Sequence, residues 1–203
     1  MIADGPTDLQ ARKAAIREQA RKNRVAQPDK DALSAAIVRT FEALPEYAAA
    51  KTVMYYVDVR SEVRTRQALP AAIAGSKKIA VPYCVDGYLR LFHLTRMEEL
   101  ATGMYGILEP RDELRELPEK KVDVKEVDLI MVPGVAFDRR GARMGNGLGY
   151  YDKLLENARP DAALVAIAFE CQLFPEIPVG EHDIFMHKLV TEAGVYDCRG
   201  ARR

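Results

Sequence analysis

The sequence predicts an α/β fold: a mostly parallel central sheet with helices on both faces, forming a single three-layer α/β/α domain over residues 1–203. Three observations predict it. Apolar runs of strand length, rich in β-branched residues, occur at 52–57 (TVMYYV), 127–132 (VDLIMV) and 163–169 (ALVAIAF). Helical spacing of apolar residues occupies the segments around them. A glycine-rich stretch follows the 127–132 run directly and leads into a helix start, as at the carboxyl end of a strand in such sheets.

The elements follow in order. Residues 8–24, rich in alanine and charge, read as a helix. Residues 29–44 read as a second, with Leu33, Ile37, Phe41 and Leu44 on one face and Pro45 as its stop. The strand at 52–57 follows. Residues 62–74 read as a helix that Pro70 bends or splits. A strand at 78–81 ends at Pro82, and the alternating 88–94 segment is a further strand. Residues 103–110 (GMYGILEP) read as a loop. The strand at 127–132, a helix at 150–158, the strand at 163–169 and two short pieces, 189–191 and 194–196, complete the chain.

Composition narrows the function classes. Hydrophobic residues make up 48% of the 203 positions, enough for a sizeable core. Thirty basic residues balance thirty acidic ones, which argues against bulk nucleic-acid or polyanion binding. The longest apolar runs are strand-sized and the N-terminus is polar, so neither a membrane span nor a secretory signal is expected. Cys84, Cys171 and Cys198 are odd in number and far apart, which suits a reducing cytoplasm and gives no metal-ligand spacing. Nothing in the sequence separates a monomer from a small homo-oligomer.

The chemistry-bearing stretch is 133–155, PGVAFDRRGARMGNGLGYYDKLL. Gly145, Gly147 and Gly149 alternate, Arg139, Arg140 and Arg143 precede them, and Tyr150-Tyr151-Asp152 opens a helix. Glycine lets backbone N–H groups curl around an anion, and cations supply charge, so this is a phosphate-holding pattern. It is neither a Walker loop nor a well-spaced dinucleotide fingerprint. Asp152 reads equally as an acid favourable to the helix start or as a magnesium ligand. Lys13, Arg17 and Arg21, with Arg24 one turn on, form a cationic stripe. By itself the stripe is a solvated face; packed across the glycine loop it would clamp a polyphosphate. Glu62 lies just after the first strand, where ligand residues collect. The trio His182, Asp183 and His187 matches no standard zinc spacing.

The same residues resemble the signature of the 5-formyltetrahydrofolate cyclo-ligase family, also called 5,10-methenyltetrahydrofolate synthetases. The resemblance rests on Pro133-Gly134, Phe137-Asp138, Gly141-Ala142-Arg143, the glycine loop and Tyr150-Tyr151-Asp152. Lys13 with Arg17, the Glu62-Val63-Arg64-Thr65 stretch, the Gly106 to Pro110 stretch, Phe169, Gln172 and His182-Asp183 extend it along the chain. It implies ATP-dependent ring closure of 5-formyltetrahydrofolate to 5,10-methenyltetrahydrofolate, with magnesium. On that reading Lys13, Arg17, Arg143, Met144, Gly145, Asn146, Gly147, Leu148, Gly149, Tyr150 and Tyr151 contact ATP. Val57, Glu62 and the segment from Asn146 to Tyr150 line the folate site. Arg143 and Tyr151 are the candidate catalytic residues, and Asp152 and His187 the candidate metal ligands. Two positions depart from the family pattern: His187 stands where an aspartate is usual, a poor exchange for a hard ion, and Leu148 replaces a small or basic residue. Another ATP phosphotransferase, or a nucleotide- or folate-binding regulatory protein, are the alternatives.

Overall fold

The structure, a computed structural model, describes residues 6–103, 106–181 and 183–198. Of the residues singled out above, His182 lies outside them, as do Met104 and Tyr105 of the 103–110 segment. The helices are α1 (Pro6–Ala26), α2 (Lys30–Glu42), α3 (Pro45–Ala49), α4 (Leu69–Ala74), α5 (Asp112–Arg115) and α6 (Tyr150–Glu156). The strands are β1 (Thr52–Met54), β2 (Lys78–Val85), β3 (Tyr88–Leu94), β4 (Leu100–Thr102), β5 (Leu108–Pro110), β6 (Lys121–Val122), β7 (Leu129–Val132), β8 (Ala136–Phe137), β9 (Arg143–Met144), β10 (Ala163–Ile167), β11 (Lys188–Thr191) and β12 (Gly194–Asp197). Eight strands form one sheet in the order β12-β11-β10-β7-β1-β2-β3-β6. The five inner strands, β11 to β2, pair in parallel; the outer pairings are antiparallel.

Alternation along the inner strands sorts the core into two layers. Val53, Ile79, Leu129, Met131, Val165 and Ile167 point to the face covered by α2 and α4, where Ile37, Phe41 and Leu69 are fully buried. Met54, Ala80, Ile130, Val132, Leu164 and Ala166 point to the other, where α6 contributes Leu154 and Leu155. That is the expected α/β/α layering. A third cluster lies apart: Ala20 of α1 packs with Val135, Ala136, Ala142 and Met144 of the β8–β9 hairpin and with Ile177. No helix among the described residues is long and apolar enough to cross a membrane.

Several elements differ from expectation. Pro45 does stop α2, but it also opens α3, because a proline at the first helical turn loses no hydrogen bond. The 62–74 helix begins only at Leu69, with Pro70 in its first turn rather than at a bend. Before it, side chains hold the backbone in place of a helix. Asp58 Oδ1 accepts from the Arg66 N–H at 2.8 Å, the Thr65 hydroxyl donates to the Tyr56 carbonyl at 2.5 Å, and Ser34 Oγ accepts from the Arg64 N–H at 3.0 Å. β2 runs through Pro82 instead of ending there. Ala80 pairs with β1, and two residues on Pro82 faces the same side, where β1 has ended, so its missing N–H breaks no ladder bond. The last three residues of the expected 103–110 loop form β5 against β4.

The β8–β9 hairpin is organised by Asp138, whose side chain is fully buried. Its carboxylate accepts from the N–H groups of Arg140 (2.9 Å), Ala142 (3.1 Å) and Ile177 (2.9 Å), and from the Arg140 guanidinium (2.8 Å). Asp138→Ala leaves the buried Ala142 and Ile177 donors without their acceptor, so it should cost about 3 kcal/mol or more of unfolding free energy in a urea titration. A loss below about 1 kcal/mol would show that water satisfies these donors instead.

Candidate active site

In the sheet order, the chain runs from β1 to β2 in one direction and from β7 to β10 in the other. The crevice between the carboxyl ends of β1 and β7 is therefore the switch point at which α/β sheets bind ligands. After β7 the chain makes the β8–β9 hairpin, which returns Arg143 and Met144 to the crevice as buried residues. The glycine loop follows. Gly147 and Gly149 hold φ of 104° and 68°, conformations that L side chains resist, so these two glycines are needed for the curl itself. α6 has only seven residues, so cations rather than a helix end dominate the field here.

Those cations come from α1, which lies across the loop. Arg17 Nε donates to the Gly145 carbonyl at 3.0 Å, and Arg21 Nη2 to Asn146 Oδ1 at 3.2 Å. Lys13 Nζ pairs with Asp183 Oδ2 at 2.6 Å, and the Gly180 N–H donates to the same oxygen at 2.7 Å. The stripe thus packs across the glycine loop. Partial burial and the like charge of Arg21 lower the pKa of Arg17, against a smaller opposing effect of Asp183. The cavity beside the loop, open to solvent, has a volume of about 360 Å³. Its lining is continuous from Arg143 to Asp152 and adds Lys13, Arg17 and Asp183.

Arg143 is the most constrained of these groups, with its side chain 2% exposed. Nη2 donates to Asp152 Oδ1 at 2.6 Å, Nη1 to the Pro133 carbonyl at 3.4 Å, and the guanidinium carbon lies 5.8 Å from the centre of the Tyr151 ring. Nε is buried and has no hydrogen-bond acceptor among the described residues. A buried, unsatisfied donor is costly, so an anionic ligand bound here would relieve it. Burial first, and the charge of Glu62 second, raise the pKa of the Tyr151 hydroxyl well above the ordinary value, against Arg143. Tyr151 is therefore a hydrogen-bond donor at neutral pH and not a base. The Tyr150 hydroxyl is raised mainly by its hydrogen bond with the Cys84 thiol.

Val57 and Glu62 occupy the loop after β1, outside the lining of the cavity but on the same side of the crevice. Glu62 Oε2 accepts from the Val59 N–H at 3.1 Å, and Oε1 lies 4.0 Å from Arg24 Nη1. Burial raises the pKa of the Glu62 carboxyl, and Arg24 is the foremost opposing influence. The charge of Glu62 reaches the Tyr151 hydroxyl from this loop.

His187 is not brought to the site. Its Nδ1 accepts from the N–H of Leu164, at the amino end of β10, while the glycine loop leaves the carboxyl side of the sheet. Its backbone N–H also donates to the Leu164 carbonyl at 2.8 Å, fixing it there. The expected second metal ligand is thereby corrected: the carboxylate that joins Asp152 in the cavity is Asp183. No cluster of three or more metal-binding side chains exists among the described residues. Two carboxylates in one cavity suit magnesium, which keeps water and phosphate oxygens as its other ligands. Arg24 was visible in the sequence only as the end of the stripe; nothing local marks it as buried.

The 5-formyltetrahydrofolate cyclo-ligase family model matches residues 9–192. A probable 5-formyltetrahydrofolate cyclo-ligase of Schizosaccharomyces pombe is 32% identical over 175 residues, which is 79% of this chain and 84% of the relative. The 5-formyltetrahydrofolate cyclo-ligase of Mycolicibacterium smegmatis is 33% identical over 144 residues, covering 70% of this chain and 69% of the relative. Among solved structures, the 5,10-methenyltetrahydrofolate synthetase of Aquifex aeolicus superposes with a TM-score of 0.80 at 30% identity, over 94% of this chain and 95% of that one. The match spans the α1 stripe, the crevice and the glycine loop together, and the chain belongs to the 5-formyltetrahydrofolate cyclo-ligase family.

Proposed function

We propose that this protein closes 5-formyltetrahydrofolate to 5,10-methenyltetrahydrofolate, with ATP as second substrate and ADP and phosphate as co-products. The observation that carries the reading is the joining of Arg143, Asp152 and the α1 cations around one glycine loop. A formyl oxygen is a poor leaving group, so N10 cannot displace it directly. Transfer of the γ-phosphoryl to that oxygen makes it one. N10 then attacks the formyl carbon and loses its proton, and the C–O bond breaks as phosphate departs. Such transfer needs positioning and charge neutralisation more than a protein nucleophile.

The residues present meet those needs. Lys13 and Arg17 bind the polyphosphate from α1, and the loop from Met144 to Gly149, with Tyr150, encloses it. Arg143 would meet the charge that develops on the transferring group, its unsatisfied Nε being available to a phosphoryl oxygen. Tyr151, held protonated, donates a hydrogen bond. Asp152 and Asp183 would hold magnesium, which supplies neutralisation of phosphate charge. Val57, Glu62 and the segment from Asn146 to Tyr150 receive the folate, and the Glu62 carboxylate accepts hydrogen bonds from pterin N–H groups. Leu148, 64% exposed at the rim, offers an apolar wall in place of a charge. The reading takes residues 1–203 as one domain, because helices from both ends of the chain's first 160 residues cover one sheet. It places the protein in the cytoplasm, in keeping with its three free cysteines.

Purified protein given magnesium, ATP and 5-formyltetrahydrofolate should form the strongly absorbing methenyl product with one ADP per turnover. ATP consumption without that product would point to another phosphotransferase, and binding without turnover to a regulatory protein. Arg143→Ala should lower kcat by roughly 10²- to 10³-fold while the folate KM stays within a few-fold. Glu62→Gln should raise the folate KM about tenfold or more, the worth of a hydrogen bond to a charged acceptor. An unchanged folate KM removes Glu62 from the site.

A further inference from the structure

Helix α1 ends with a cation that the ring-closing chemistry leaves without a role. Arg24, in the last turn of α1, is 7% exposed, although a helix end on a protein surface normally keeps such a side chain in water. Its Nε donates to Ser61 Oγ at 3.0 Å and its Nη1 to the Gly134 carbonyl at 3.3 Å, with Glu62 Oε1 4.0 Å from Nη1. The Gly134 carbonyl also accepts from Gln172 Nε2 at 3.0 Å. One guanidinium therefore ties three segments: the helix that carries Lys13 and Arg17, the turn after β1, and the turn after β7. The turn after β1 is itself tight, with Arg60 at φ 55° just before Ser61 and Glu62.

We propose that Arg24 is a positioning residue of the folate side, fixing the Glu62 carboxylate and the Pro133–Gly134 turn relative to α1 and thereby coupling the nucleotide-binding helix to the pterin-binding carboxylate. The proposal rests on the role given to Glu62. A buried carboxylate is oriented and kept ionised only by partners. The charged and titratable groups acting on Glu62 are Arg24 from α1 and Asp58 and Arg60 from its own turn, with Tyr56 from the segment just after β1 and Tyr151 from α6 also in range. Burial and Asp58 favour the protonated form; Arg24 leads the opposing influences, ahead of the Val59 N–H and Arg60.

The sign of the effect follows. Arg24 lowers the pKa of Glu62, so removing its charge raises that pKa. The ionised form that accepts from the pterin is then lost at a higher pH as pH falls, and the acid limb of kcat/KM for the folate moves to higher pH. A purely structural role would lower stability without moving that limb. The test compares Arg24→Gln, which keeps a donor but no charge, with Arg24→Lys, which keeps the charge, and with Glu62→Gln, each by thermal melting and by KM for both substrates across pH. Arg24→Gln should raise the folate KM roughly tenfold, change the ATP KM less than about twofold, and shift the acid limb upward. Arg24→Lys should leave the limb near its wild-type position and recover much of the folate KM. An acid limb unmoved in Arg24→Gln, or moved equally in Arg24→Gln and Arg24→Lys, overturns the proposal. So does an equal rise in both KM values. If Glu62→Gln raises the folate KM while Arg24→Gln does not, only the role of Arg24 falls. If Glu62→Gln leaves the folate KM unchanged, the role of Glu62 falls, and the proposal with it.

Discussion

The seating of α1 across the carboxyl end of the sheet is the constraint on which the rest of this site depends. The helix brings four cations, Lys13, Arg17, Arg21 and Arg24, to one face, which turns inward except at its exposed edge, Arg21. Seating such a stripe is costly: burial first, and the like charge of Arg21 second, lower the pKa of Arg17. It is held down by a small apolar contact around Ala20, by the Asn23 side-chain amide donating to the Cys171 carbonyl at 3.1 Å, and by an acceptor for each cation. Those acceptors are Asp183, the Gly145 carbonyl, Asn146 and the group around Glu62. Without α1 the glycine loop would be a curl of backbone with one cation, Arg143. With it, the loop becomes the floor of a cationic cavity.

The resting site balances charge internally. Arg143 pairs with Asp152 and Lys13 with Asp183, so two of the three cavity cations are matched by carboxylates, while Arg17 rests on the Gly145 carbonyl. On the proposed function, a magnesium nucleotide would bring both partners at once: phosphate oxygens for the cations and a divalent ion for the carboxylates. Exchange of partners would then replace desolvation of lone charges, which is far more costly. The Tyr151 ring has the Arg143 guanidinium carbon 5.8 Å from its centre, and its hydroxyl also feels the charge of Glu62.

Much of this was legible in the sequence, for identifiable reasons. The inner strands are buried on both faces and so read as continuous apolar runs, and the glycine loop carries its own punctuation. Lys13, Arg17 and the loop from Arg143 to Asp152 line one cavity, although the spacing of the stripe by itself reads as a solvated face. What failed locally was decided by tertiary partners. The 62–68 segment has helix-compatible residues, but Asp58, Thr65 and Ser34 capture its backbone from elsewhere in the chain. Pro82 looked like a strand end because the early finish of β1 cannot be seen from β2. His187 stands at the position expected of a metal ligand, yet its backbone pairing to Leu164 holds it at the amino end of β10. Arg24 and Asp183 gained their meaning only from what they touch.

The claim that most needs direct measurement is that the formyl oxygen itself becomes the leaving group. Turnover of 5-formyltetrahydrofolate carrying oxygen-18 in its formyl group, followed by mass analysis of the inorganic phosphate, tests it. The account predicts that the label appears in phosphate, one atom for each methenyl product formed. Label recovered in water, with unlabelled phosphate, would show that ATP is hydrolysed apart from the ring closure and would contradict it.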